Sequence, residues 1–230
     1  MYQNKNSEKL SNEIFETIER QIIPKAFQHT VVSLLKNNKT FNSDFLQKIT
    51  SFYEEAKVIS QISINSFSKN NKNDIAIACQ RGCSFCCHLK VMVTAPEFHI
   101  ISNYIQETFP KEKIKALKTT LRKTVSEKNR CADLAERLAI QCSFLENNAC
   151  SIYEARPFTC RAYYSKDSKV CQKYLKNQNL DIPISMCHYT PYNAFKRGVI
   201  QALEVTDFEL PAEELNSGML RFYNLIDQFL

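Results

Sequence analysis

A mainly α-helical fold with little or no β structure is what this sequence predicts, and three observations predict it. Apolar residues recur at helical spacing through most of the 230 positions. Only one short apolar run, Val91-Met92-Val93, has strand character, and it is a stub. Glycine is scarce, with only Gly82, Gly198 and Gly218 in the chain. Composition and patterning divide the chain into a helical pair over 1–74, a cysteine-rich domain over 75–190 and C-terminal helices over 191–230 that complete the core.

Taken in order, Leu10, Ile14, Ile18, Ile22, Phe27, Val31 and Leu35 give the first helix one apolar face. Pro24 is expected to break or kink it, because proline removes a helical N–H and its ring crowds the preceding turn. After a polar turn at Asn37-Asn38-Lys39, Phe45, Ile49, Phe52, Ala56, Ile59 and Phe67 mark a second helix, with Ser43 placed as its N-cap. The two should pack as an antiparallel pair, either as core or as an arm for a protein or peptide partner. A polar linker follows over Ser66 to Asp74.

Thr94-Ala95-Pro96-Glu97 has capping-box spacing, so a helix carrying Phe98, Ile101 and Ile105 should begin there, with Glu97 a cap before it is a general base. Another opens near Pro110 with Ile114, Leu117, Leu121, Val125, Ala132, Ala135 and Leu138, and runs toward Cys142. Cys131 on that stripe reads as a buried, inert thiol. Thr190-Pro191 is expected to start a helix through Phe195, Val199 and Leu203. Pro211 is expected to start the last, through Leu215, Met219, Phe222, Ile226 and Phe229.

The chemistry lies in ten cysteines. The first residues carry no apolar leader, and no window holds eighteen uninterrupted apolar positions, so an intracellular, cytoplasmic protein with no membrane partner is expected. In a reducing compartment clustered thiols are metal ligands more often than disulfide partners, and adjacent Cys86 and Cys87 suit a bridge network poorly. Phosphate-binding loops need several clustered glycines whose N–H groups close on phosphate, which excludes the P-loop and dinucleotide folds here. The formal charge of +6 does not argue for nucleic acid, because a thiolate site has anionic charge of its own that basic residues can offset. Arg81, Lys90, Arg156 and Arg161 are interleaved with the cysteines.

The densest stretch is Cys79-Gln80-Arg81-Gly82-Cys83-Ser84-Phe85-Cys86-Cys87-His88. A C-x2-C unit such as Cys83-Ser84-Phe85-Cys86 turns two sulfurs onto one ion through a tight backbone knuckle, with Gly82 supplying conformational freedom just before it. Cys79 can add a third thiolate, while Cys87 serves a second ion, bridges or stays free. A second cluster, Cys142, Cys150, Cys160 and Cys171, has spacings of seven, nine and ten intervening residues, which match no simple zinc ribbon. The fold is therefore expected to bring two cysteine-rich loops together on a metal site. Cys187-His188 is a further candidate ligand pair, Cys87-His88 is a weak candidate nucleophile and base, and Arg156 and Arg161 are candidate donors to sulfur, carboxylate or carbonyl groups nearby. Tyr153, Tyr163 and Tyr164 read as core or shell residues.

Together, the double cysteine Cys86-Cys87, Cys142 with Phe144-Leu145, and Cys150-Ser151-Ile152-Tyr153-Glu154 followed by Arg156-Pro157 and Cys160-Arg161 resemble the YkgJ-like cysteine-cluster family, a zinc- or iron-chelating domain with a CxxCxxCC-type motif. The resemblance covers roughly Cys79 to Cys171. It implies eight metal-linked cysteines, here Cys79, Cys83, Cys86, Cys87, Cys142, Cys150, Cys160 and Cys171, holding zinc or an iron-sulfur cluster (4Fe-4S). The first gap departs from the pattern, with three residues where many members have two, and Cys187 competes with Cys171 for the eighth place. The chain is also similar to flagellin lysine N-methylases, which by analogy implies an iron-sulfur enzyme acting on a peptide or protein side chain. Cys79-x3-Cys83-x2-Cys86 has radical-SAM spacing, but strands and glycines for the usual barrel are missing. Three thiols can still hold a cluster with one open iron.

Overall fold

The computed structural model describes residues 2–68, 76–130, 140–209 and 211–227. Of the linker expected over Ser66 to Asp74, residues 66–68 instead continue α2 and the rest lies outside the described residues, as do the stripe residues Ala132, Ala135, Leu138 and Phe229, and Cys131. The fold is mainly α. Among the described residues eight α-helices run α1 (Tyr2–Lys36), α2 (Ser43–Ser68), α3 (Ala95–Thr108), α4 (Lys111–Arg130), α5 (Phe158–Ala162), α6 (Ser168–Tyr174), α7 (Met186–Val205) and α8 (Leu215–Asp227). Among the described residues, β structure is confined to two antiparallel pairs: β1 (Met92–Thr94) with β4 (Ala212–Glu214), and β2 (Leu145–Glu146) with β3 (Ala149–Cys150). No helix among them is long and apolar enough to cross a membrane. The chain forms two compact units, Met1–Ala76 with Arg161–Tyr164 and Ile184–Pro211, and Ile77–Cys160 with Ser165–Pro183 and Ala212–Leu230.

The first unit is built on α1, α2 and α7. Helices α1 and α2 are antiparallel, with Phe15 stacked on Phe67 at 5.3 Å and His29 against Phe52 at 6.5 Å. The main partner of α1 is nevertheless α7, which also packs along α2 and puts Phe195 on Phe52 at 4.9 Å. The expected simple pair is thus a three-helix arrangement. Helix α1 does not end at Pro24. An interior proline costs about 3 kcal/mol, but Ile22 and Leu34 are buried, and each such side chain returns about 1.5–3 kcal/mol. Gly198 on α7 lets the two backbones touch at that turn, since a Cβ there would lie 2.6 Å from the Ile23 carbonyl oxygen.

Three helix starts differ from the sequence expectation. The Asn42 side chain, not Ser43, caps α2, accepting the Phe45 N–H at 3.0 Å. Helix α7 starts at Met186, so Pro191 lies inside it. Backbone bonds from His188 and Tyr189 to the Ser185 carbonyl already close its first turn. Pro211 leads not into a helix but into β4, which pairs with β1, and α8 begins only at Leu215. A three-residue strand has too little periodicity to be read locally; its partner 120 positions away in the chain (Val93↔Glu213, the central pair) makes it a strand.

The second unit has a core of Val91, Val93, Phe98, Ile101, Ile105, Leu117, Leu121, Phe144, Ile152, Leu215, Met219 and Tyr223. These come from β1, α3, α4, α8 and the second cysteine segment, so the apolar faces predicted for α3 and α4 close on one cluster. The strand stub and capping box predicted at Thr94 both occur. Glu97 is fully buried; its Oε2 accepts the Thr94 N–H and hydroxyl, each at 2.9 Å.

Candidate metal centre

All eight cysteines expected at the centre lie in the second unit. The first segment is anchored at its start, where Ala78 N–H donates to the Ser165 carbonyl at 2.9 Å and Ser165 N–H donates to Cys79 Sγ at 3.2 Å. Cys83 N–H donates to the Gln80 carbonyl at 3.0 Å. That turn requires φ of +89° at Gly82, a left-handed value that glycine alone adopts without strain. A 3₁₀ turn over Phe85–His88 follows, and the Ser84 carbonyl takes the Cys87 N–H at 3.0 Å.

The second segment is hydrogen-bonded directly onto the first. Cys142 N–H donates to the Cys87 carbonyl at 2.7 Å. Ser143 fixes this strap to α8 and α4: its N–H reaches Asn216 Oδ1 at 3.0 Å, and its hydroxyl reaches Thr124 at 3.2 Å. Cys150 comes from the β2–β3 hairpin, where it pairs with Leu145. The hairpin turn is Asn147-Asn148, both at positive φ (49° and 60°), the pattern of a type I′ turn that suits asparagine. Cys160 is placed by a clamp at the start of α5. Phe158 N–H donates to Glu97 Oε1 at 2.6 Å, and the Thr159 hydroxyl donates to the Met92 carbonyl at 2.7 Å. Cys171 is buried on α6, whose N-cap Asp167 accepts from Lys169 and Val170, and α6 rests against the 3₁₀ turn.

Electrostatics sort the thiols into neighbourhoods. Cys79 is within electrostatic range of Cys83, Cys86 and Cys171; Cys171 is in range of Cys83 and Cys86. Cys160 is in range of Cys142, Cys150 and Cys86, and Cys150 is in range of Cys86. Burial pushes the Cys79, Cys150, Cys160 and Cys171 thiols up, and Cys142 up to about 12. For Cys86 the leading cause is its hydrogen bond to Cys87, with burial second. Two kinds of group oppose this. The Arg156 guanidinium favours the thiolates of Cys86, Cys150 and Cys160. Backbone N–H groups of Phe144 and Ile152 serve Cys142 and Cys150 in the i+2 position typical of a metal knuckle.

Thiols so buried stay protonated at neutral pH, and a divalent cation reverses that preference by supplying the charge that burial removed. The donor set fits a thiophilic ion: it is soft, clustered and already supplied with N–H donors. Among the described residues no three His, Cys, Asp or Glu side chains already stand around one point as metal ligands.

The other candidates are divided between the two units. Cys187 and His188 belong to the first unit. Cys187 is buried, and His188 Nδ1 meets the Ser185 hydroxyl at 3.0 Å while its ring lies 4.3 Å from that of Tyr164. Burial lowers the His188 pKa. His88 Nδ1–H donates to the Ser84 carbonyl at 3.3 Å. Arg161 lies over the Tyr53 ring at 4.4 Å, whereas Arg156 stacks on Tyr153 at 3.7 Å and donates to the Tyr153 carbonyl at 3.2 Å. Ser165, Asn216 and Thr124 position the cysteine segments, and no local pattern marks them. The hairpin at Asn147-Asn148 did carry a signal, in two turn-forming asparagines between short apolar runs.

No curated protein and no solved structure matches the chain. The profile of one family matches residues 78–193, which is just over half of the chain and spans all eight cysteines and their clamps. The chain therefore belongs to the CxxCxxCC family, described as a "putative zinc- or iron-chelating domain".

Proposed function

We propose that the protein chelates zinc or iron through thiols drawn from Cys79, Cys83, Cys86, Cys87, Cys142, Cys150, Cys160 and Cys171, in a structural, storage or sensing role. The observation that carries this reading is the backbone bond from Cys142 N–H to the Cys87 carbonyl, which fastens the two cysteine segments together. Bound metal supplies positive charge at the buried sulfurs. The chain's own part is to present them: Ser165 holds Cys79, the Glu97 clamp holds the Cys160 turn, and Arg156 offsets thiolate charge. Elemental analysis of full-length protein purified without oxygen should find zinc or iron bound. Cys83→Ser and Cys150→Ser should each lose metal and thermal stability; if both keep full metal content and full stability, the reading is wrong.

A second reading rests on the Cys79-x3-Cys83-x2-Cys86 spacing. Three thiols there would hold a 4Fe-4S cluster with an open iron, in an enzyme that modifies a peptide or protein side chain in the manner of a methyltransferase. It requires a brown protein whose visible absorption bleaches on reduction. A colourless protein containing only zinc would exclude it.

A further inference from the structure

We propose that the solvent face of α4 is a docking surface for duplex DNA, held through the phosphodiester backbone without reading its sequence. The metal centre takes no part in it.

Charge in this chain is concentrated in one element. Helix α4 carries eight of the thirty basic side chains and two of the twenty-four acidic ones, which leaves twenty-two of each sign, and no net charge, for everything else. The formal +6 is therefore the charge of α4. Three of its cations are committed inside the unit: Lys113 pairs with Glu146 at 2.9 Å, Lys128 pairs with Glu214 at 2.6 Å, and Lys118 lies over the Tyr223 ring at 5.2 Å. The other five, Lys111, Lys115, Arg122, Lys123 and Arg130, are exposed, and among the described residues none of them is in a salt bridge. Winding at about 100° per residue gathers these five onto an arc of about 120°, opposite the buried Leu117, Leu121 and Thr124. They thus face away from the apolar cluster against which Cys142, Cys150 and Cys160 pack. The array is about 28 Å long at a rise of about 1.5 Å per residue, and Glu112 is the one carboxylate of α4 on that arc.

The character of this face selects its partner. None of the exposed large apolar side chains belongs to α4, and the helix has no aromatic residue. A protein interface is anchored by buried aromatic and apolar side chains, a membrane-surface helix by an apolar face, and a single strand by aromatic stacking. Those anchors are missing here. A duplex backbone needs none of them, since its phosphates, one per about 1.7 Å of axis, bind cations through charge and counterion release. Lys111, Lys115 and Arg122 form one row on the arc and Lys123 and Arg130 another, with the small hydroxyl residues Thr119 and Ser126 between them. The major groove of B-DNA, about 12 Å wide, admits a helix of about that diameter with phosphates on both sides. The deep, narrow major groove of duplex RNA does not.

The test uses full-length protein with its metal content as purified and a fluorescently labelled DNA duplex of mixed sequence, about two helical turns long, followed by anisotropy over a range of salt. Each phosphate neutralised contributes about 0.9 to the slope of log affinity against log salt, so the five cations should give a slope of about −4. Lys115→Glu with Arg122→Glu should weaken binding by about tenfold or more and flatten the slope by about 2. Lys123→Gln with Arg130→Gln, which introduces no repulsion, should flatten it by about 2 as well. Lys36→Glu with Lys57→Glu makes the same change of net charge on the other unit and should leave affinity and slope as in the wild type. Equal weakening by that control pair, binding without salt dependence, or no binding at all overturns the surface. Duplex RNA bound as tightly as DNA overturns the choice of groove. Poly-glutamate or phosphatidylserine vesicles bound in preference to DNA through the same five residues overturn nucleic acid as the occupant. None of these outcomes depends on how the thiols are occupied, so the chelation reading stands or falls separately.

Discussion

At Gly82 the backbone is left-handed, with φ at +89°, and the space around it is open, so an added methyl meets strain and not a clash. Left-handed backbone costs a residue with a Cβ about 1–2 kcal/mol. Gly82→Ala should therefore weaken metal binding by about tenfold, as read by chelator competition, because the turn before Cys83 no longer rests in its native form. Glu214 makes a different point. Burial alone would push its carboxyl up, but the hydrogen bond and charge of Lys128 at 2.6 Å, the Ser217 N–H and the Asn216 amide outweigh burial and leave it below the usual carboxylate value. A group whose pKa is depressed on folding contributes stability that is complete above the unfolded value, about 4.3, and is lost as pH falls through the folded one. In urea melts of metal-free protein, Glu214→Gln should be clearly less stable than wild type at neutral pH, and the gap should narrow as the pH drops below 4. An exposed pair such as Arg20–Glu16 should contribute under about 1 kcal/mol by the same measurement.

Elements here are fixed by single contacts that a sequence scan passes over. Gly198 lies against the Ile23–Phe27 backbone of α1, where a Cβ would meet the Ile23 oxygen and the Ala26 Cβ at 2.6 Å. The obstacle is main chain and cannot rotate away. Gly198→Ala should cost about 1–3 kcal/mol in chemical unfolding, the range for overpacking, although alanine is the better helix former. The Glu97 carboxylate joins the N-terminus of α3 to the start of α5. Glu97→Ala leaves buried N–H groups at Thr94 and Phe158 without this acceptor, at about 1–3 kcal/mol apiece. It should also lower metal affinity, because Cys160 lies two residues past Phe158. Glu97→Gln, which keeps one carbonyl acceptor, should recover part of both losses.

For the molecule as a whole, the cysteine segments are loops and short turns held by a few long-range hydrogen bonds, while α3 is held by the buried Phe98, Ile101 and Ile105. Structural zinc contributes on the order of 10 kcal/mol to folding. Stripping metal should lower the thermal midpoint by roughly 20 °C. It should also speed amide exchange at 79–88 and 142–160 far more than in α3. Equal exchange in all three with and without metal would show that the apolar core alone orders the loops.

The sequence by itself determined that the chain is mainly helical, which faces of α3 and α4 are apolar, the capping box at Thr94 and the family to which the cysteines belong. These are local matters: helical periodicity, a cap three residues from its partner, and motif spacing all lie within a turn or two of chain. Only the tertiary structure decided that α7, not α2, is the main partner of α1, that residues 212–214 form a strand, and that the Cys142 N–H donates to the Cys87 carbonyl while Cys187 lies in the other unit. Each depends on groups distant in sequence, such as the β1 edge that pairs with residues 212–214 or the Cys87 carbonyl, whose energetic effect exists only once the chain has folded and brought them within hydrogen-bonding range.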